Sequence, residues 1–352
     1  MEYKKQIEEL VSAVLQENAS DLHLAEGRTP YVRVSGTLIP LTKKPVLTAA
    51  DMEGYVSVFL NPENRARLAK DREIDFSYSL VDSRFRGNVY YKQGTLSIAL
   101  RLIPKKIKTL AELNLPPILE TFTRKPQGFF LVVGPIGQGK TTTLAAMIEM
   151  INQSRAEHIL TIEDPIEYVY ESKKSIIDQR EILVDTPDFH SALTAMFRED
   201  IDVCLVGEMR DTNTISTAVT AAETGHLVFS TLHTNNAAQT INRIIDSFPP
   251  NQQDQIRVQL AGSLTGIFSQ RLIPRISGGL VPAYELLINN NAVANLIREK
   301  RIHEIQTVIE TSSGEGMIDM NRSLAELARS GQISVESAYL NSQSPKTLER
   351  LI

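Results

Sequence analysis

Residues Gly134 to Thr141 read G-P-I-G-Q-G-K-T, directly after the apolar run Phe129-Phe130-Leu131-Val132-Val133. This is the pattern G-x-x-x-x-G-K-[ST] of a phosphate-binding loop, in the setting that gives it meaning, a buried strand before and a helix after. Leu144, Met147, Ile148 and Ile151 fall at i, i+3, i+4 and i+7, which predicts a helix with one apolar face. Glycines let successive backbone N–H groups curl around phosphates without Cβ clashes. The positive N-terminus of the helix then faces the anion. Lys140 is placed to reach the β/γ-phosphates, and Thr141 to hold Mg²⁺ through its hydroxyl. Gly134, Pro135, Gly137, Gln138, Gly139, Lys140, Thr141 and Thr142 are therefore the candidate binding set for a nucleoside triphosphate.

From Phe129 onward, strand candidates alternate with helical patterns. The strands are Phe129–Val133, His158–Ile162, Val203–Val206 and Leu227–Leu232. That rhythm predicts an α/β unit with a parallel sheet covered by helices. Open sheets of this kind bind ligands at the C-terminal ends of their strands. Here those ends are polar: Glu163-Asp164-Pro165-Ile166-Glu167, Gly207-Glu208-Met209-Arg210-Asp211 and His233-Thr234-Asn235. Glu208 is read as the acidic residue that shares Mg²⁺ with Thr141. Binding Mg²⁺ does not by itself make a nucleophile, so Glu163 is read as the carboxylate that orients or deprotonates the attacking water. The bland alternative for either glutamate is a helix cap or a solvated turn.

His226 and His233 bracket the fourth strand. Their spacing matches no zinc motif, and no cysteine or third histidine lies near them. They are read as sensing the γ-phosphate or bridging subunits, with structural packing as the alternative.

Upstream, the chain predicts a separate small α+β domain over residues 1–104. Ile7, Leu10, Val11, Val14 and Leu15 form a helical stripe, and a second helix is expected over about Ala50–Lys70. Short strands are expected at Leu22–Leu24, Tyr31–Val34, Thr37–Ile39, Ile74–Leu80, Arg84–Tyr91 and Leu96–Ile103. Pro104-Lys105-Lys106-Ile107-Lys108 is basic and ill-suited to packing, and Leu115-Pro116-Pro117 favours a helix start. The linker is placed at 105–117, the ATPase-type domain at 118–352, and a mostly helical region from about 285. No internal repeat or coiled-coil heptad is evident.

The composition is that of an ordinary globular protein: 352 residues, 42% apolar, 22% charged, net charge −5. No apolar run approaches the roughly 18 residues of a membrane helix, and the N-terminus leads into an amphipathic helix rather than a signal-peptide core. A cytoplasmic protein is expected. The single cysteine, Cys204, lies in an apolar run and cannot make an internal disulfide or a four-cysteine zinc site.

Four ordered segments resemble the secretion and type IV pilus ATPases. They are the loop Gly134–Leu144, Ile162–Tyr168 as an Asp box, Leu205–Asp211 as an atypical Walker B, and Thr224–Asn235 as a His box. Ser20-Asp21-Leu22-His23-Leu24, followed by Pro30 and Val34-Ser35-Gly36, is similar to the same family. Ala292–Glu299 resembles the helix that its pilus-retracting branch uses, with Ala294 where arginine is usual. Ile136 and Gln138 replace the commoner threonine and serine. Assembly and secretion members carry a further N-terminal domain, and many carry a four-cysteine zinc insert. This chain is expected to have neither.

The resemblance implies a PAS-like N-terminal domain, a RecA-like domain with C-terminal helices, and a ring-shaped homohexamer with ATP and Mg²⁺ between the two domains. It implies that Arg84, Arg86 and Arg101 reach the phosphates; read from the residues alone, they could equally be solvated edge-strand charges. It further implies a motor for pilus disassembly and twitching motility at the cytoplasmic face of the inner membrane. That motor would act on a membrane platform protein and associate with the membrane only through partners. The alternatives within the family are an accessory paralogue or an assembly ATPase. A non-hydrolysing nucleotide-gated scaffold is opposed by the presence of both Glu163 and Glu208. A nucleic-acid motor is opposed by the acidic balance and the lack of an aromatic–basic stripe.

Overall fold

A computed structural model describes residues 2–34, 36–80, 83–103 and 106–352. The chain divides into two compact units. One runs through Lys106 and takes in Glu167–Val169; the other holds Ile107–Ile166 and Tyr170–Ile352.

The first unit contains α1 (Glu2–Gln16), β1 (Asp21–Ala25), β2 (Tyr31–Val34), β3 (Thr37–Pro40), α2 (Ala49–Phe59), α3 (Pro62–Asp71), β4 (Glu73–Leu80), β5 (Ser83–Lys92) and β6 (Thr95–Ile103). Its antiparallel sheet has the order β3-β2-β1-β6-β5-β4. Strand residues alternate between faces. Leu22, Leu24, Phe85, Val89, Ile98 and Leu100 are buried with Ile7, Val11 and Met52 of the helices. Asp21, Arg33, Arg86 and Arg101 have the opposite parity. They form one row across four strands, because Asp21 pairs with both Arg33 and Arg101, and Arg101 pairs with Arg86.

The single helix expected over Ala50–Lys70 is in fact two. Proline cannot continue a helix, and Pro62 instead starts α3, with the Asn61 side chain accepting from the Asn64 amide at 2.8 Å as its cap.

The second unit opens with α4 (Leu119–Thr123), β7 (Gly128–Val133), α5 (Lys140–Ser154), β8 (His158–Glu163), β9 (Ile176–Glu181), α6 (Phe189–Met196), β10 (Val203–Val206), α7 (Thr212–Glu223) and β11 (Leu227–Leu232). It continues with α8 (Ala237–Asp246), α9 (Pro250–Ser263), β12 (Leu264–Pro274), β13 (Leu280–Ile288), α10 (Asn291–Arg298), α11 (Ile305–Thr311), α12 (Met320–Arg329), α13 (Val335–Asn341) and α14 (Pro345–Leu351). The seven-stranded sheet has the order β13-β12-β7-β11-β10-β8-β9 and is parallel except for β13. Every residue of β7 and β11 is buried, as expected for strands covered on both faces.

Three strands here have no counterpart in the sequence reading. Edge strand β9 is half polar. β12 and β13 form a hairpin, so the strand content runs to Ile288 and the helical region begins at Asn291. Helices α12 to α14 pack on that hairpin through Ile273, Val281, Ala283, Met320, Leu324, Ala338 and Leu348.

Candidate nucleotide site

The phosphate loop begins where β7 ends. Gly134, Gly137 and Gly139 take φ of 149°, 77° and 80°, which side chains with a Cβ rarely adopt. Gly139 is the left-handed residue at the N-cap of α5. Lys140, 8% exposed, turns back over the loop, and its Nζ donates to the carbonyls of Gly134 at 2.8 Å and Pro135 at 2.9 Å. A buried ammonium has to be paired. The loop carbonyls supply that pairing and hold the charge at the helix N-terminus.

The other candidate residues follow strand by strand along the same sheet edge. Next to β7 is β11, and His233 follows its last residue. Its Nδ1 is 3.3 Å from Lys140 Nζ and its Nε2 is 3.9 Å from Glu208 Oε2. Burial holds the imidazole below its usual titration range. The charges of Lys140 and Arg210 add to this, and Glu208 opposes it. Since an ammonium can only donate, the network assigns the ring proton to Nε2, facing Glu208.

Next is β10, followed by Gly207 and Glu208. The Gly207 amide donates to Ile162 O at 2.8 Å, and a Cβ on Gly207 would stand 3.2 Å from that oxygen. This close approach brings β10 and the end of β8 together. Glu208 is ion-paired with Arg210. Glu163 closes β8 and is 4% exposed; its Oε1 accepts from Thr161 Oγ1 at 2.7 Å and from Gln179 Nε2 at 3.3 Å. Lys140, His233, Glu208 and Glu163 thus stand in order at the ends of β7, β11, β10 and β8, strands about 4.8 Å apart.

His226 is not part of this group. It precedes β11, at the opposite edge of the sheet, and its backbone carbonyl accepts from the Gly128 amide at the start of β7. Its Nδ1 lies 3.0 Å from Ala221 O, and its ring meets Phe197 edge-on at 5.4 Å. It closes the C-terminal end of α7, and the length of a strand separates it from Lys140. The side chain of Gln138 also points elsewhere than a ligand set suggests, with Oε1 accepting from the Leu272 amide at 2.7 Å.

In the first unit, Arg84 and Arg86 on β5 and Arg101 on β6 share one sheet face. Arg101 Nε donates to Asp21 Oδ1 at 2.8 Å, and Arg86 Nη1 is 3.8 Å from Glu167 Oε1. Burial disfavours the charge on Asp21, but hydrogen bonds from Ser20 and Arg101 outweigh it and hold the carboxyl below its usual range. The sequence reading did not assign roles to Asp21, Gln179 or Gln270. The last sits in an apolar stretch followed by Gly278-Gly279 and a second apolar run, a hairpin signal.

A parallel sheet with this strand order, a glycine loop that delivers Lys140 to a helix N-terminus, and carboxylates on the neighbouring strand ends define a RecA-like P-loop ATPase. The model of the Type II/IV secretion system protein family matches residues 2–333, and the chain belongs to that family. It is 44% identical over 322 residues to a twitching motility protein of Neisseria gonorrhoeae, covering 91% of this chain and 86% of that one. It is 41% identical over 341 residues to the type IV pilus retraction ATPase PilT of Pseudomonas aeruginosa, covering 97% and 99%. A crystal structure of the pilus retraction motor PilT with bound ADP matches at a TM-score of 0.91 and 46% identity, covering 97% of this chain and 98% of that one. The chain is accordingly a nucleotide-binding ATPase. No helix among the described residues is long and apolar enough to cross a membrane.

Proposed function

We propose that this ATPase is the motor that retracts type IV pili, working as a homohexamer at the cytoplasmic face of the inner membrane against a membrane platform protein of the pilus. The observation that carries this reading is the ordered row Lys140, His233, Glu208 and Glu163 along one sheet edge, in a chain similar over nearly its whole length to retraction motors.

In this reading the backbone of Gly134–Gly139, Pro135 and Gln138 included, cradles the ATP phosphates together with Thr142 in the first turn of α5, and Lys140 places its charge on the β/γ-phosphates. Thr141 and Glu208 offer oxygen ligands, the chemistry that Mg²⁺ prefers, and would hold an ion that neutralises phosphate charge. Glu163 takes the proton of the attacking water. Its environment suits a positioned base, since two side-chain donors fix Oε1. His233 links Lys140 to Glu208 and reports the γ-phosphate. Arg84, Arg86 and Arg101 stabilise the charge that develops on the transferred group. His226, on the far edge, is left to bridge subunits.

Imaging surface pili in a strain lacking this gene tests the reading. Loss of retraction leaves excess pili, whereas a bald cell would make the protein an assembly ATPase. Turnover stimulated by single-stranded DNA would instead indicate a nucleic-acid motor.

A further inference from the structure

Strand β12 outruns its neighbour. Ser269 pairs with Val133, the last residue of β7, and Gln270 to Pro274 continue beyond it. The phosphate loop lies against this extension. A Cβ on Gly134 would stand 2.4 Å from Gln270 O; one on Gly139 would stand 2.9 Å from Gln270 Nε2 and 3.4 Å from Leu272 Cδ1. Gly134 is thus required by the backbone of the strand behind it, and Gly139 is packed closely against that strand's side chains, whatever the phosphates require in front.

Gln270 is 3% exposed, and its amide spans the loop and the helix after it. Nε2 donates to the Gln138 carbonyl at 2.8 Å, and Oε1 accepts from Thr143 Oγ1 at 2.7 Å. Gln138 answers across the same gap, its Oε1 accepting from the Leu272 amide at 2.7 Å. The peptide bond between Gln138 and Gly139 is planar and trans, so its C=O and N–H point in opposite directions. Fixing the Gln138 carbonyl on β12 therefore turns the Gly139 N–H away from β12, toward the open side of the loop.

We infer that Gln270 is a positioning residue for the nucleotide: it clamps the phosphate loop to β12 and so sets the direction of the Gly139 amide before any ligand arrives. A loop without the clamp spends less time in its binding conformation, and apparent affinity falls by that fraction. The effect falls on ADP and ATP alike. The chemical step depends on carboxylates carried by other strands and is spared.

The test is Gln270→Leu, which keeps volume and removes both amide bonds. Titration calorimetry with ADP should show about a tenfold or greater rise in Kd, with a matching rise in KM for ATP and kcat within about threefold. Gln138→Ser, at a half-exposed position, removes only the answering bond and should raise Kd by about threefold. The double variant should show less than the sum of the two free-energy effects, because both residues serve one clamp. A Gln270→Leu protein that binds ADP within about twofold of the native protein, or whose loss lies only in kcat, overturns the inference. So does unchanged ADP binding by Gln138→Ser if Gln270→Leu does not fold.

Discussion

The Lys140 ammonium and the His233 imidazole face each other at 3.3 Å across the gap between β7 and β11. A second cation beside the ammonium is disfavoured: burial and the lysine charge hold the imidazole below its usual titration range, with Glu208 opposing them. With Nδ1 accepting from Lys140, the Nε2 proton points toward Glu208, whose Oε2 is 3.9 Å away.

Replacing Lys140 by alanine should abolish turnover, because the phosphates lose their point charge. Steady-state phosphate release measures this. Near-normal turnover in the variant would overturn the loop assignment.

Glu163→Gln should slow hydrolysis by about 10²–10⁴-fold while ATP still binds, as expected for loss of a positioned base. Glu208→Gln should instead raise the Mg²⁺ concentration needed for half-maximal rate. Normal hydrolysis by the first variant and none by the second would exchange the two roles.

Alanine at Arg84, Arg86 or Arg101 should, for at least one of them, cut kcat far more than nucleotide affinity, within the ~10³–10⁵ that an arginine acting on a transferring phosphoryl group supplies. Light scattering checks that the assembly survives. Uniformly mild losses would return all three to solvated strand charges.

Glu285 lies on β13, fully buried, with Oε1 accepting from the Ala237 amide at 2.8 Å; burial pushes its carboxyl up from an ordinary 4.5 to about 7. The raised value means that the folded protein holds a proton which the unfolded chain has released. Stability should therefore fall as pH rises from about 4.5 to 7, by an amount on the order of 3 kcal/mol at most. Glu285→Gln should flatten that part of the pH–melting curve relative to the native protein. Parallel curves for the two proteins would show that Glu285 ionises normally.

On α10, Val293, Ala294, Leu296 and Ile297 are buried, while Arg298 projects outward and donates to Asn295 Oδ1 at 2.9 Å. Arg298→Ala should leave melting and ATPase activity intact yet stop pilus retraction in cells. Leu296→Ala should behave differently, losing about 2–5 kcal/mol of stability as a core truncation. Retraction by cells carrying Arg298→Ala would reduce the helix to packing alone.

The loop Gly134–Thr141, the buried strands that follow it and the acidic strand ends were all legible in the sequence, because each depends on local pattern: glycine where φ is positive, apolar runs where both faces are covered, carboxylates where strands end. The α2–α3 break is marked in the sequence by Pro62, after which the apolar stripe of Tyr55, Val56, Phe59 and Leu60 gives way to Glu63, Asn64 and Arg67. Strand β9 is half polar and carries no period that marks it. The hairpin β12–β13 lay outside the strand–helix rhythm used to read the domain.

What the chain by itself determined is the identity of the chemistry. Residue types at short spacing suffice for a phosphate loop and its helix, since their partners are neighbours in sequence. What only the tertiary structure decided is which distant residues meet. His226 and His233, seven positions apart, were indistinguishable as letters, yet a strand of six residues carries them to opposite sheet edges. Gln270 reaches a loop more than a hundred residues earlier because β12 is laid beside β7. Strand order is set by the packing of whole faces against helices, a property of the assembled sheet that no local segment encodes.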